Sequence, residues 1–386
     1  MGRRTPPSEI PKLNTLAGLP VELLSSITDF LPLNDRICIS LCSRRLFAIF
    51  NHRTNPARPL GKDKLPVLRR LERDLPKYFV CYICHILHKY DGSEYFGLSG
   101  SVYDQEKCPL RCLPKWKEDG FDLELRDQAP IWFHVYRIFY FLHLQLAMRR
   151  FYYGEKFGIS TEALSYTQVR THPGPSSCPE ITSLFSTDAQ ICPKTPGLCL
   201  RIQHVMFVHG RKSELLLSRQ DIESAGEPPQ VMFICIHVSR RRHAILLNTV
   251  VKAYISGEKA PSSTHTCDIC AADSRIEVCE YGSDLALVLT TWINLGPGLT
   301  PDDPRWLVHC CSWELNRVTL DPNHRKDSPR VCFENVSPRS LEALRSCNLS
   351  YLKDQRYKRV MHQVYWERGV WDLPTKSSWG SYWFMS

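Results

Sequence analysis

The sequence predicts an α+β protein: an N-terminal three-helix unit followed by a mixed, largely antiparallel sheet domain, with candidate zinc sites in its loops and helices at its C-terminal end. Three observations carry this reading. Apolar residues recur at helical spacing between Pro20 and Phe50. Farther along, short β-branched and apolar runs such as Leu198 to His209 and Leu285 to Ile293 end at turn residues. Paired cysteines at CxxC spacing punctuate the chain between these runs.

The first helix is expected from Pro20 to Leu31. Proline is tolerated where a helix begins, Leu23, Leu24, Ile27, Phe30 and Leu31 share one stripe, and Pro32 stops it. Asn34 is the expected N-cap of a second helix carrying Ile37, Ile39 and Leu41, and Ser43 that of a third carrying Leu46, Phe47, Ile49 and Phe50. Three helices of this length cannot bury all their own apolar surface, so the unit calls for a partner.

The composition is that of a globular chain, with 386 residues, 43% of them hydrophobic and 23% charged, enough for two or three domains. The net charge is +9, but the first 76 residues hold thirteen Lys/Arg against seven Asp/Glu and so account for +6 of it. The remainder is close to neutral, and no basic helix or finger array suggests nucleic acid as a partner. Arg240, Arg241 and Arg242 form the one tight basic run, read as a turn after a strand. The most apolar window, Ile131 to Met148, contains His134, Arg137, His143 and Gln145, which argues against a membrane span. The N-terminus shows no apolar export segment and Pro6 spoils a myristoylation signal, so the expected location is cytoplasm, nucleus or both. Seventeen cysteines in a reducing compartment point to metal binding rather than to a disulfide framework.

Residues 1–13 read as a polar tail, 14–54 as the helical domain, 55–76 as a connector with a short basic helix from Val67 to Asp74, and 77–386 as the α+β domain. Cys81 and Cys84 form a CxxC pair with His88 close behind, and Cys108 and Cys112 follow. Two thiolates three residues apart converge on one tetrahedral ion, and a distant residue closes the site. Cys81, Cys84 and Cys108 lead this first cluster, with Cys112 or His88 as fourth ligand; the alternative is a set of reduced core thiols. From Ile138 to Arg150 apolar and polar residues alternate, the period of a half-buried strand. Residues 171–197, rich in Pro, Ser and Thr, are expected as a surface loop.

Val231 to Val238 reads as a strand on which Cys235 and His237, two apart, share a face, and Cys267 and Cys270 supply a second CxxC. Together they make the four-ligand complement of a closed structural zinc site. His265 could replace His237, and a sheet histidine beside a plain turn is the competing reading. Arg275 to Val278 and Trp306 to Cys310 are further expected strands, and helices are expected from Ser337 through Arg345 and from Ser350 to Tyr365. No GxSxG, Walker, dinucleotide or HExxH pattern is present, so no enzyme activity is expected of the chain itself.

Leu19, Pro20, Glu22, Leu23, Leu24, Ile27, Leu31, Pro32, Asp35, Leu41, Cys42, Arg44, Arg45 and Leu46 fall in an order that resembles the F-box, with Arg36 and Phe47 departing from the family's usual aliphatic residue and frequent Trp. The resemblance implies docking onto the Skp-type adaptor, and through it the cullin, of a ubiquitin ligase, with Leu16, Leu19, Pro20, Val21, Leu23, Leu24, Ile27, Leu31 and Leu41 as the contact set. It implies a non-catalytic substrate-recognition subunit, the sheet domain holding an unknown protein target. The alternative is an F-box or zinc-stabilised interaction module working outside a ligase. The stretch from Phe141 to Leu164, and the Cys-x-His step ahead of a CxxC, also resemble segments of filamentous-fungal F-box proteins of similar length.

Overall fold

The computed structural model describes residues 16–54, 61–89, 131–134, 137–172, 181–208, 234–235, 237–238, 240–258, 261–281, 284–310 and 328–336. They fall into two compact units. One holds the helices up to residue 74 and the hairpin that follows; the other holds the described residues from 131 onward, apart from 156–158.

In the first unit a short 3-10 turn, Leu16–Gly18, leads into α1 (Val21–Asp29), α2 (Leu33–Leu41) and α3 (Arg44–Thr54). Leu24, Leu46 and Phe50 form the core of the three helices, with Leu19, Ile39 and Ile49 packed against it. Full burial of a side chain like Leu24 contributes about 2 kcal/mol. Ser43 caps α3 as expected, its Oγ accepting from the Leu46 N–H at 3.1 Å. Asn34 does not cap α2: the helix already begins at Leu33, after an N-cap Pro32 whose ψ of 152° is extended. The proline sets the entry angle two residues earlier than an Asn34 cap would have. After α4 (Leu65–Asp74), which carries Pro66 in its first turn, the strands β1 (Tyr78–Cys81) and β2 (Ile86–Lys89) form an antiparallel hairpin. Expected to open the sheet domain, this hairpin belongs instead with the helices. The buried Glu72 of α4 accepts the Val80 N–H at 2.9 Å, which binds α4 to β1.

The second unit contains a small hairpin of β3 (Ile131–His134) and β4 (Arg137–Phe139), then α5 (Phe141–Tyr153). The strand expected from Ile138 to Arg150 is therefore mostly helix. Every residue from Phe141 to Arg149 is buried, and a helix enclosed on all sides has no polar stripe to reveal its period. His143 Nδ1 accepts the Tyr140 N–H at 3.0 Å and starts the helix; Gly154, at φ 97°, ends it.

The main sheet comprises β5 (Tyr166–His172), β6 (Ile181–Cys192), β7 (Gly197–Val208), β8 (Ser262–Thr266), β9 (Asp273–Tyr281) and β10 (Asp284–Asn294), in the spatial order β5-β6-β7-β10-β9-β8. All its described pairings are antiparallel, in line with the largely antiparallel sheet expected. β6 occupies part of what read as a loop. Its polar residues sit in the sheet, and the buried Thr187 donates its hydroxyl to the Leu164 carbonyl at 3.4 Å. Helix α6 (Arg240–Ile255) begins where the arginine run suggested a turn. Three cations at a helix N-terminus oppose its dipole, which is why the run reads as a poor helix start. Trp306 to Cys310 is not a strand. Asp303 accepts the Arg305 N–H at 2.8 Å and caps the short α7 (Pro304–Leu307). The fully buried Trp306 within it lies edge-on to Phe141, 5.5 Å between ring centroids. Helix α8 (Pro329–Val336) is the last described element; the helices expected from Ser337 and Ser350, like the 1–13 tail, lie outside the described residues.

One face of the sheet collects Leu184, Val205, Ala286 and Val288 into one apolar cluster, and Cys192, Cys199 and Trp292 with Phe333 of α8 into another. Between them lie the Arg201–Asp188 ion pair and a bond from Gln203 Nε2 to Thr290 Oγ1 at 3.3 Å. Among the described residues no helix is long and apolar enough to cross a membrane.

Gly298 has φ 63°, and a Cβ there would lie 3.0 Å from Met148 Cγ and 3.1 Å from the Leu144 carbonyl oxygen of α5. Both the left-handed backbone and the close helix exclude a side chain. Gly298→Ala should lower stability by about 1–3 kcal/mol, read as a fall in the denaturation midpoint of the sheet unit followed by its tryptophan fluorescence.

Candidate functional site

Among the described residues, two groups of side chains could hold a metal ion. In the second unit, ligand atoms of Cys235, His237, Cys267 and Cys270 all lie within 4.8 Å of one another; in the first unit the same holds for Cys81, Cys84 and His88. In a tetrahedron with Zn–S bonds of about 2.3 Å the sulfurs stand about 3.8 Å apart, so a small contraction would close either set on an ion.

The same backbone device presents both CxxC pairs. In each, the chain folds into the turn of a β-hairpin, β1–β2 for Cys81 and Cys84 and β8–β9 for Cys267 and Cys270. The residue after the second cysteine is left-handed, His85 at φ 52° and Ala271 at φ 54°, and its N–H reaches back to the carbonyl of the first, at 2.9 Å for His85 to Cys81 and 3.0 Å for Ala271 to Cys267. These are the only two non-glycine residues with positive φ among those described. Such backbone is costly, and its recurrence at both cysteine pairs marks a turn built to aim two sulfurs at one point. The Cys84 N–H also points at Cys81 Sγ, 3.4 Å away, a donor that stabilises a thiolate.

At the second cluster three sulfurs are buried and His237 is half-buried. Cys235 and Cys270 hydrogen-bond to Cys267, which draws the Cys267 thiol far below its ordinary pKa. The bonds to Cys235 and Cys267, with burial, raise Cys270, and the bond to Cys267, with burial, pushes Cys235 up to about 12. His237 Nδ1 is buried with no hydrogen-bond partner. A cage of soft donors with an unsatisfied imidazole nitrogen fits a thiophilic divalent cation, which would replace the shared protons and satisfy all four ligands.

Cys235 and His237 do not lie on a strand, as the sequence suggested. Residues 234–235 are irregular and His237 lies in a turn just before α6, so the two ligands converge through a bend and not through the period of a sheet. His265 lies on β8 and stays outside the cluster. Sequence reasoning missed His309, whose fully buried imidazole is pushed down to about 3 by burial and by the neighbouring His237, and which is therefore neutral. No spacing signal links it to Cys270. At the first cluster His88 joins Cys81 and Cys84 from β2, stacked on Phe79 at 5.7 Å; Cys108 and Cys112 lie outside the described residues.

The three-helix unit presents the other candidate surface. Leu16, Val21, Leu23, Ile27 and Leu41 are exposed, as are Phe30 and Phe47, which the expected contact set omitted. Leu24 belonged to that set but is 1% exposed and sits in the core; its place in the stripe turns it inward, so it supports the surface from below. Leu19 and Leu31 are half-buried and Pro20 is exposed. Arg45 of α3 ties the start of this surface down, its guanidinium donating to the Ala17 carbonyl at 2.5 Å and the Leu19 carbonyl at 3.0 Å. Arg45→Ala should cost about 1 kcal/mol and speed hydrogen exchange at the Leu19 amide, which donates to Leu16; unchanged exchange there would show that the turn holds without it.

Compared with known proteins, the chain finds no match among curated proteins or among solved structures. A family model does match its N-terminal helices: residues 16–55 are an F-box domain.

Proposed function

We propose that this chain is the substrate-recognition subunit of a Skp-cullin-F-box ubiquitin ligase. The observation that carries the reading is the F-box match at residues 16–55 together with the exposed apolar residues there, Leu16, Val21, Leu23, Ile27 and Leu41. The core of the helices is already filled by Leu24, Leu46 and Phe50. An apolar face this large on so small a unit is consistent with a surface that a partner covers. F-box domains of this kind are non-catalytic adaptors. Ubiquitin transfer then happens on other subunits, and this chain contributes proximity by holding a target near the transferring enzyme. The six-stranded sheet unit is the part that holds the target. Free thiol sets suit a reducing compartment, and the chain works in cytoplasm or nucleus in this reading.

The two cysteine-histidine groups hold structural zinc on the same view. Four protein ligands at Cys235, His237, Cys267 and Cys270 complete a tetrahedron and leave no position for a substrate. Bound zinc supplies a cross-link there. It joins the segment before α6 to the β8–β9 hairpin, work that a disulfide performs in oxidising surroundings.

Leu19→Ala with Pro20→Ala should abolish co-elution with purified Skp-type adaptor, as loss of buried anchors worth about 2 kcal/mol or more each predicts, while circular dichroism of the chain stays unchanged. Co-elution of the double variant at wild-type level would show that Leu19 and Pro20 are not the anchors, and failure of the wild-type chain to co-elute would move it to a role outside the ligase. Metal analysis of protein purified without chelator should return bound zinc, and Cys267→Ser should lower the count by one per chain. An unchanged count in that variant would remove the second site.

A further inference from the structure

The β8–β9 hairpin that carries Cys267 and Cys270 is fastened to a helix far away in sequence by one side chain. Thr266 and Asp273 flank the cysteine turn and are cross-strand partners, and Thr266 Oγ1 donates to Asp273 Oδ1 at 2.7 Å. The second oxygen of Asp273, Oδ2, faces the N-terminus of α8, where it accepts from the Ser328 hydroxyl and from the Arg330 backbone N–H, the latter at 3.2 Å. Asp273 is 8% exposed. A buried carboxylate bonded on both sides holds its partners firmly, and at a helix N-terminus it also satisfies otherwise unpaired N–H groups and meets the positive end of the dipole.

An eight-residue helix is not stable on its own. Its order comes from its seat, and that seat has two parts. One is Asp273. The other is Phe333, which packs with Cys192, Cys199 and Trp292, while Arg201 lies 5.2 Å from the Phe333 ring centroid and Arg330 5.4 Å from that of Trp292. Cys332 is brought against Cys199 by the same helix, and their contact together with burial pushes the Cys199 thiol far up. Seated, α8 therefore covers thiols that would otherwise react.

We infer that α8 is a metal-dependent latch. Zinc at Cys235, His237, Cys267 and Cys270 fixes the hairpin turn, the hairpin holds Asp273 in place, and Asp273 holds α8 over Cys199 with its own Cys332 turned inward against that thiol. Losing the metal frees the turn, withdraws the carboxylate from the helix N-terminus and opens α8, which uncovers the two thiols while the central strands stay paired. The inference rests on the zinc reading given above and adds what that site controls: the accessibility of one sheet face.

The test is pulse alkylation of the full chain with N-ethylmaleimide, read by mass spectrometry of the peptides containing Cys199, Cys332 and Cys310. Cys310 is buried away from α8, next to His309, and reports loosening around the cysteine-histidine cluster itself, while hydrogen exchange at the β7–β10 amides reports opening of the whole unit. In zinc-loaded protein Cys199 and Cys332 should label slowly. Asp273→Asn should speed both roughly tenfold or more, the scale expected when a local unit loses its fastening bonds, with zinc content and Cys310 protection unchanged. Ser328→Ala, milder and at the helix end, should move them the same way by a smaller factor. Chelation of wild-type protein should reproduce the Asp273→Asn pattern. The latch is overturned if Asp273→Asn and Ser328→Ala both label like wild type, or if chelation leaves Cys199 and Cys332 protected. It is equally overturned if the β7–β10 amides lose their exchange protection together with Cys332 after chelation, because the whole unit has then opened. Protein that binds no zinc at all overturns the site itself, and metal analysis tells that result from a failure of the latch.

Discussion

The pairing of β7 with β10 is the constraint on which the second unit depends. The two strands stay in one unbroken antiparallel register from Leu285↔Val208 to Asn294↔Cys199, and each has a further strand on its other side. A slip by one residue would turn every side chain to the opposite face. Val205 and Val288 would leave their cluster, and Arg201 would leave Asp188 for apolar surroundings, where an unpaired guanidinium is expensive. The register therefore decides where α8 can sit, because Phe333 needs Cys199 and Trp292 on one face. It also decides where β9 begins, and thus where the cysteine turn before it projects.

The two CxxC hairpins are a repeated local solution in different surroundings. Both use a left-handed residue after the second cysteine and a return hydrogen bond to the first, and both end a strand pair. They differ in enclosure. Cys84 is exposed and His88 half-buried, whereas Cys235, Cys267 and Cys270 are all buried. Burial makes the second group the stronger structural tie, since thiolates taken out of water must be compensated, by shared protons in the free site or by a cation in the loaded one. The F-box stands apart from this chemistry. Its order rests on Leu24, Leu46 and Phe50 and on side-chain bonds to the backbone such as those of Arg45, so the three-helix core and the cysteine turns draw on separate interactions within one chain.

Local chemistry was legible where local chemistry decides. The Leu-Pro and Ser43 signals placed the three helices of the F-box, because capping and proline effects act within a turn. The long apolar runs placed β7 and β10, because a central strand buried on both faces needs nothing else, while of β9 only the stretch from Arg275 to Val278 was expected. The CxxC spacings placed both cysteine turns, because three residues suffice to bring two sulfurs together. Where the sequence misled, the missing information was burial. Helix α5 looked like a strand because it is enclosed on every side and its polar residues, His143, Gln145 and Arg149, are buried with the apolar ones. β6 looked like a loop because Ser186 and Thr187 are polar, although both are buried in the sheet. The Asp303-Pro304 step that caps α7 was there to be read, but the apolar residues after it weighed more.

By itself, then, the sequence determined the F-box, the central strands and the two cysteine pairs that fold into hairpin turns, since each depends on contacts within a turn or along one strand. Only the tertiary structure decided that His237 and not His265 meets the second cysteine pair, that His309 lies beside it, that Leu24 turns inward, and that Asp273 joins the cysteine hairpin to α8. Each of these pairs residues that chain spacing leaves independent. Their meeting follows from strand order and register, which minimise the exposed apolar surface of the whole unit and which no short stretch of sequence encodes.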